Sequence, residues 1–138
     1  MDRNKLKEWM KHDEGYKNIP YVCSEGKLTI GYGRNLQDRG ISKEEAEFML
    51  ENDMKSTEKD LLTCQWYLDA PSSVKDALFN MCFNLGLPRL LGFKKMIQAI
   101  KDKDYTKASI EALDSRWAKQ VHDRAKAIAV MIREGNES

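Results

Sequence analysis

Three prolines, two histidines and three cysteines are spread over 138 residues, and each scarcity removes a class of protein. So few prolines, beside eight glycines and no segment rich in Pro, Gly or Ser, argue against disorder, collagen-like repeats and flexible linkers. Cys23, Cys64 and Cys82 are odd in number and form no CxxC pair, which argues against a secreted disulfide scaffold and leaves at least one thiol free. His12 and His122 supply no zinc-ligand pattern, so no metal or other cofactor is expected. Apolar runs are short, and none approaches the roughly 18 residues of a membrane span. Met1 to Glu8 is charged where an export signal needs an apolar stretch, so folding in a reducing cytoplasm is expected, with no stable membrane insertion. A formal charge of only +1 provides no global field toward nucleic acid, and no nucleic-acid partner is expected.

What the chain does have is 41% hydrophobic and 33% charged residues, the balance of one soluble folded domain. Leu6, Trp9 and Met10 recur at helical spacing and predict an amphipathic helix ending near Gly15, with Trp9 and Trp117 in the core. Ile19 to Cys23 and Lys27 to Ile30, joined by Ser24-Glu25-Gly26, read as a β-hairpin, with further turns at Gly31-Tyr32-Gly33 and Asp38-Arg39-Gly40. Ser42 and Glu45 form a capping box ahead of a long helix. Pro71-Ser72-Ser73 opens a helix through Val74, Leu78, Met81, Cys82 and Leu85 that is apolar on most sides and should be central, stopped by Gly86 and Pro88. Shorter helices follow around Phe93 to Ile100, after a cap at Asp104, and after a cap at Asp123. The expected fold is α+β, a small β-hairpin lobe of about residues 15–42 joined by the long helix to a helical lobe of about residues 60–138, which the N-terminal helix joins.

The densest polar chemistry is Glu14, Cys23 and Thr29, with eight residues between the first two and five between the last two. A helix end followed by a hairpin can bring such residues together. The residue types are common, and a surface Glu beside a buried Cys and a strand Thr is the plain alternative.

His12-Asp13-Glu14-Gly15 followed by Thr29-Ile30-Gly31-Tyr32-Gly33-Arg34 resembles the start of the T-even phage lysozyme family, whose members carry Glu, then Asp or Cys, then Thr at this spacing. The likeness continues through Ile41 to Glu47, Asn80 to Gly86, Gly92-Phe93, Ser115-Arg116-Trp117 and Asp123-Arg124-Ala125, in order and over nearly the whole chain. The resemblance implies a lysozyme-like fold and a muramidase cutting the β-1,4 bond between N-acetylmuramic acid and N-acetylglucosamine in bacterial peptidoglycan. It also implies a monomer held in the host cytoplasm until a holin-type membrane-permeabilising partner gives it access to the wall. The chain is short between Leu36 and Ile41, which trims one wall of the family's cleft.

Glycoside hydrolysis needs an acid for the leaving oxygen and stabilisation or capture of an oxocarbenium-like centre. Glu14 alone of the three residues can be that acid, a role that calls for burial at the helix end to keep it protonated near neutrality. An unperturbed thiol, with a pKa of about 8.5, is mostly neutral at pH 7. Cys23 is left with three roles: nucleophile, base for a water, or positioning group, with Thr29 holding the attacking water.

By the same resemblance Glu25, Phe83, Asn84, Arg116 and Arg124 border the saccharide, with turn, core or surface roles as the plain alternatives. Arg34 and Asp53 match an ion pair of some relatives and predict a structural salt bridge. Cys64 and Cys82 are read as packing residues. The competing activities are a lytic transglycosylase giving 1,6-anhydromuramic products, a non-catalytic wall-binding relative, and a thiol amidase using Cys23 with a histidine. Charge is segregated, three positive and seven negative residues from Lys43 to Asp60 against six and two from Arg89 to Lys107, so a basic face could meet anionic wall polymers.

Overall fold

The computed structural model describes residues 1–137, which divide into two compact units, Met1–Met49 and a second that begins at Leu50. In the first unit, helix α1 (Arg3–Glu14) starts where the Asp2 carboxylate accepts from the Lys5 N–H at 3.1 Å. It ends where Gly15, at φ 69°, donates its N–H to the Lys11 carbonyl. None of its residues is buried, and Trp9, expected in the core, is 64% exposed.

Strands β1 (Lys17–Val22), β2 (Leu28–Gly31) and β3 (Arg34–Asn35) form an antiparallel sheet in that order. Tyr21 pairs with Thr29 and Val22 with Leu28, and the register slips between Lys17 and Tyr21, where Pro20 has no N–H to give a ladder. The hairpin thus matches expectation, while the third strand and the four-residue helix α2 (Leu36–Arg39) lie in a stretch read only as turns. Two residues are too few to show alternation. Their strand character comes from pairing with β2, Thr29 to Asn35 and Ile30 to Arg34.

Helix α3 (Lys43–Leu61) begins with the expected capping box. The Glu45 N–H donates to Ser42 Oγ at 3.1 Å, and the Ser42 N–H donates to Glu45 Oε1 at 2.9 Å.

The second unit is helical: α4 (Gln65–Leu68), α5 (Ser72–Leu85), α6 (Leu87–Leu91), α7 (Lys94–Lys101), α8 (Tyr105–Leu113), α9 (Arg116–Val121), α10 (Asp123–Arg133) and a closing 3₁₀ turn (Glu134–Glu137). Helix α5 is central as expected, burying Val74, Ala77, Leu78, Met81, Cys82 and Leu85. Against it pack Ala125, Ile128 and Ile132 of α10, and Met96 and Ile100 of α7 belong to the same core. Trp117 is buried, at 4% exposure, and so are Cys64 and Cys82.

Helix α5 stops at Leu85 with Gly86 as its cap, as expected, and Pro88 sits in the first turn of the separate helix α6, where its missing N–H costs nothing. One helix start differs from expectation. Asp123 is the first residue of α10, and the cap position belongs to His122 at φ 31°, which joins α9 directly to α10.

Candidate active site

The loop from Cys23 to Lys27 is closed by two backbone bonds of 2.9 Å, Cys23 N–H to the Lys27 carbonyl and Gly26 N–H to the Cys23 carbonyl. Gly26, at φ 76°, allows the chain to reverse. Closure brings the N–H groups of Lys27 and Glu25 to the half-buried Cys23 sulfur, and the Thr29 hydroxyl, whose hydrogen is on the Lys27 carbonyl, lies beside it. These donors favour the thiolate and hold the Cys23 pKa below the ordinary thiol value, the Lys27 N–H contributing most. Partial burial and the Glu25 carboxylate oppose them more weakly.

The turn itself thus moves the thiol off its ordinary value. A side-chain acceptor at the head of a turn that takes the N–H two residues on is the Asx-turn arrangement, so an aspartate here would meet the same Glu25 donor. Thr29 is 4% exposed, and its hydroxyl donates to the Lys27 carbonyl at 2.8 Å. The sheet register thus brings Cys23 and Thr29 together.

Glu14, the last residue of α1, is exposed rather than buried, because the helix stops immediately at Gly15. Its carboxyl lies against Gly33, a contact that reading Gly31-Tyr32-Gly33 as a turn does not anticipate. Glu25 is exposed and serves the site through its backbone N–H.

The expected Arg34–Asp53 pair is also corrected. The Arg34 guanidinium donates to both oxygens of Glu45, at 2.9 and 2.7 Å, and to the Gly40 carbonyl at 3.1 Å. A two-pronged carboxylate eleven residues away uses the planar fork fully.

In the second unit, Asn84 Oδ1 accepts the indole N–H of Trp117 at 2.7 Å, and Phe93 meets the same indole edge-on at 6.1 Å between ring centres. Asn84 keeps its amide hydrogens for other partners. Phe83 is 38% exposed and does not fill the core. Arg124 donates to Asn80 Oδ1 at 2.8 Å, an amide partner where a carboxylate was the alternative. Arg116 borders a cavity of about 530 Å³ with Arg89, Lys95, Phe93 and Trp117.

The model of the phage lysozyme family matches residues 11–134, a span that contains all eight of the site residues named from the sequence. The chain belongs to the phage lysozyme family. It is 28% identical to "Probable T4-type lysozyme 2" of Dictyostelium discoideum over 160 aligned positions, covering 94% of each chain. It is 29% identical over 114 positions to the "Endolysin" of Acyrthosiphon pisum secondary endosymbiont phage 1, covering 80% of this chain and 75% of that one. The "Pre-baseplate central spike protein Gp5" of Enterobacteria phage T4 is 26% identical over 161 positions, covering 95% of this chain but 28% of the larger protein. Within this family the chain has an α+β fold, and among its described residues no group of three or more His, Cys, Asp or Glu is placed to hold a metal ion.

Proposed function

We propose that this member of the phage lysozyme family is a lysozyme-type peptidoglycan hydrolase, a muramidase that cleaves the β-1,4 bond between N-acetylmuramic acid and N-acetylglucosamine. The observation that carries the reading is the closed turn from Cys23 to Lys27, which sets the Lys27 and Glu25 N–H groups toward the Cys23 sulfur beside the buried Thr29, in the unit whose first helix ends at Glu14.

Glu14 gives its proton to the glycosidic oxygen as the bond from that oxygen to the muramic anomeric carbon breaks. A water oxygen bonds to that carbon and passes a proton to the Cys23 thiolate. The Thr29 hydroxyl spends its hydrogen on the Lys27 carbonyl, so its lone pairs remain to accept a hydrogen of the attacking water. A sulfur whose anion is favoured by backbone donors can thus stand where other family members use a carboxylate.

Glu25, Phe83, Asn84, Arg116 and Arg124 are assigned to saccharide or peptide contacts. Asn84 is suited by its unspent amide hydrogens, and the two arginines by their charge. No helix among the described residues is long and apolar enough to cross a membrane. In phage lysis the enzyme, acting as a monomer, would reach the wall from the host cytoplasm through a separate holin-type protein.

Mass spectrometry of soluble products from purified peptidoglycan tests the reading. Reducing muramic ends are expected from the native chain, and none from a folded Glu14→Gln variant. Anhydromuramic ends would make it a lytic transglycosylase, free amines a thiol amidase, and no products a wall-binding relative. Lysis retained by Glu14→Gln removes the general-acid assignment.

A further inference from the structure

Gly31 and Gly33 flank Tyr32 in the turn between β2 and β3 and share almost the same backbone angle, φ 70° and 75°. Both positions suit glycine for that reason. Their surroundings differ. A Cβ on Gly31 would meet nothing within 4 Å. One on Gly33 would collide with Glu14 Oε2 and stand 2.8 Å from Cδ and 3.2 Å from Cγ. The carboxyl end of Glu14 therefore rests on the bare α-carbon of Gly33.

That platform is itself anchored. The next residue, Arg34, pairs with Ile30 across the β2–β3 ladder, and its guanidinium is tied to Glu45 and to the Gly40 carbonyl. An exposed glutamate at a helix end has several rotamers open to it, and a fixed surface under its carboxyl selects among them.

We propose that Gly33 is a positioning residue for the Glu14 carboxyl, and that its missing side chain leaves the space the carboxyl occupies. The proposal deepens the reading of Glu14 as general acid and rests on it. A displaced acid loses alignment with the leaving oxygen, and a misplacement of about 1 Å can cost roughly a hundredfold in rate.

Gly33→Ala and Gly31→Ala share the strain of a side chain at positive φ, so the difference between them reports the collision alone. Gly33→Ala is expected to lower kcat roughly 30-fold or more with KM within about threefold. Gly31→Ala should stay within about threefold of the native kcat. Equal losses in the two variants, or a fully active Gly33→Ala, overturn the proposal.

A second measurement needs no turnover. The struck atoms are the far end of an exposed side chain, so the collision displaces the carboxyl rather than the fold. In NMR spectra the Glu14 side-chain carboxyl carbon signal is expected to move in Gly33→Ala and to stay in place in Gly31→Ala, with Tm falling by a similar amount in both variants. A Glu14 signal that does not move in Gly33→Ala overturns the platform whatever Glu14 does chemically. A displaced signal together with an active Glu14→Gln overturns the general-acid reading, and with it the positioning role.

Discussion

Glu45 grips Arg34 with both carboxylate oxygens, at 2.9 and 2.7 Å, while its Oε1 also accepts the Ser42 N–H at 2.9 Å. One side chain thus closes the capping box of α3 and ties that helix start to the short strand β3. The Arg34 hydrogen bonds, followed by the two bonds with Ser42, bring the Glu45 pKa from 4.5 down to about 2.

A carboxylate with a depressed pKa stabilises the fold above its unfolded value, and that contribution is lost as pH falls through its folded value. The Tm of the native protein is expected to fall faster than that of Glu45→Gln between pH 4.5 and 2, closing the gap seen at pH 6. Parallel Tm curves over that window would show that the pair is not coupled to folding.

The three thiols should differ in reactivity. Cys23 is partly accessible and has a lowered pKa, whereas burial pushes Cys82 up to about 11. Iodoacetamide at pH 7.5 should alkylate Cys23 at least roughly tenfold faster than Cys82 in the folded protein, with the difference gone in denaturant. Peptide mapping of timed samples reads this directly, and comparable rates in the folded state contradict the turn geometry.

Cys23→Asp tests the electrostatics of the proposed site. A carboxylate is ionised from about pH 4 upward, below the range of even a lowered thiol, so the variant carries an extra negative charge over the intervening range. In the proposed mechanism the ionised Cys23 accepts the proton of the attacking water, so its titration sets the acid limb of the native pH–rate profile. That limb should move to lower pH in the variant, leaving the native enzyme with the higher optimum. Overlaid profiles contradict this account.

Gly135 closes the helical unit. A Cβ there would stand 2.7 Å from Val74 Cγ2 and 2.9 Å from Tyr105 Cγ, both in the core. Gly135→Ala is expected to destabilise by about 1–3 kcal/mol in urea unfolding, with the fold class unchanged in circular dichroism. Trimming Val74 to Ala in the same chain should recover part of the cost that the collision adds, and a neutral Gly135→Ala would place the 3₁₀ turn away from the core.

Helix and hairpin positions were largely readable because the groups that set them are close in sequence. Asp2 meets the Lys5 N–H, Ser42 meets Glu45, and Asp104 meets the Lys107 N–H, each three residues apart. The Glu14, Cys23 and Thr29 candidates were legible as residue types at a spacing. The thiolate-favouring turn was not, since its donors are backbone groups that no residue identity records. Trp9 misled because helical periodicity marks an apolar stripe without supplying anything to cover it.

Local chemistry in the chain therefore specified the α+β order, the capped helix starts and the three candidate groups. Partner choice came from packing. Arg34 could meet Glu45 or Asp53 by charge alone, and the β2–β3 register with the Ser42 cap brought Glu45 into its fork. Trp117 found Asn84 at 33 residues and Arg124 found Asn80 at 44, separations over which sequence pattern carries no distance. The contact of Glu14 with Gly33 is of the same kind. It depends on where an absent side chain leaves room, and only the folded backbone defines that space.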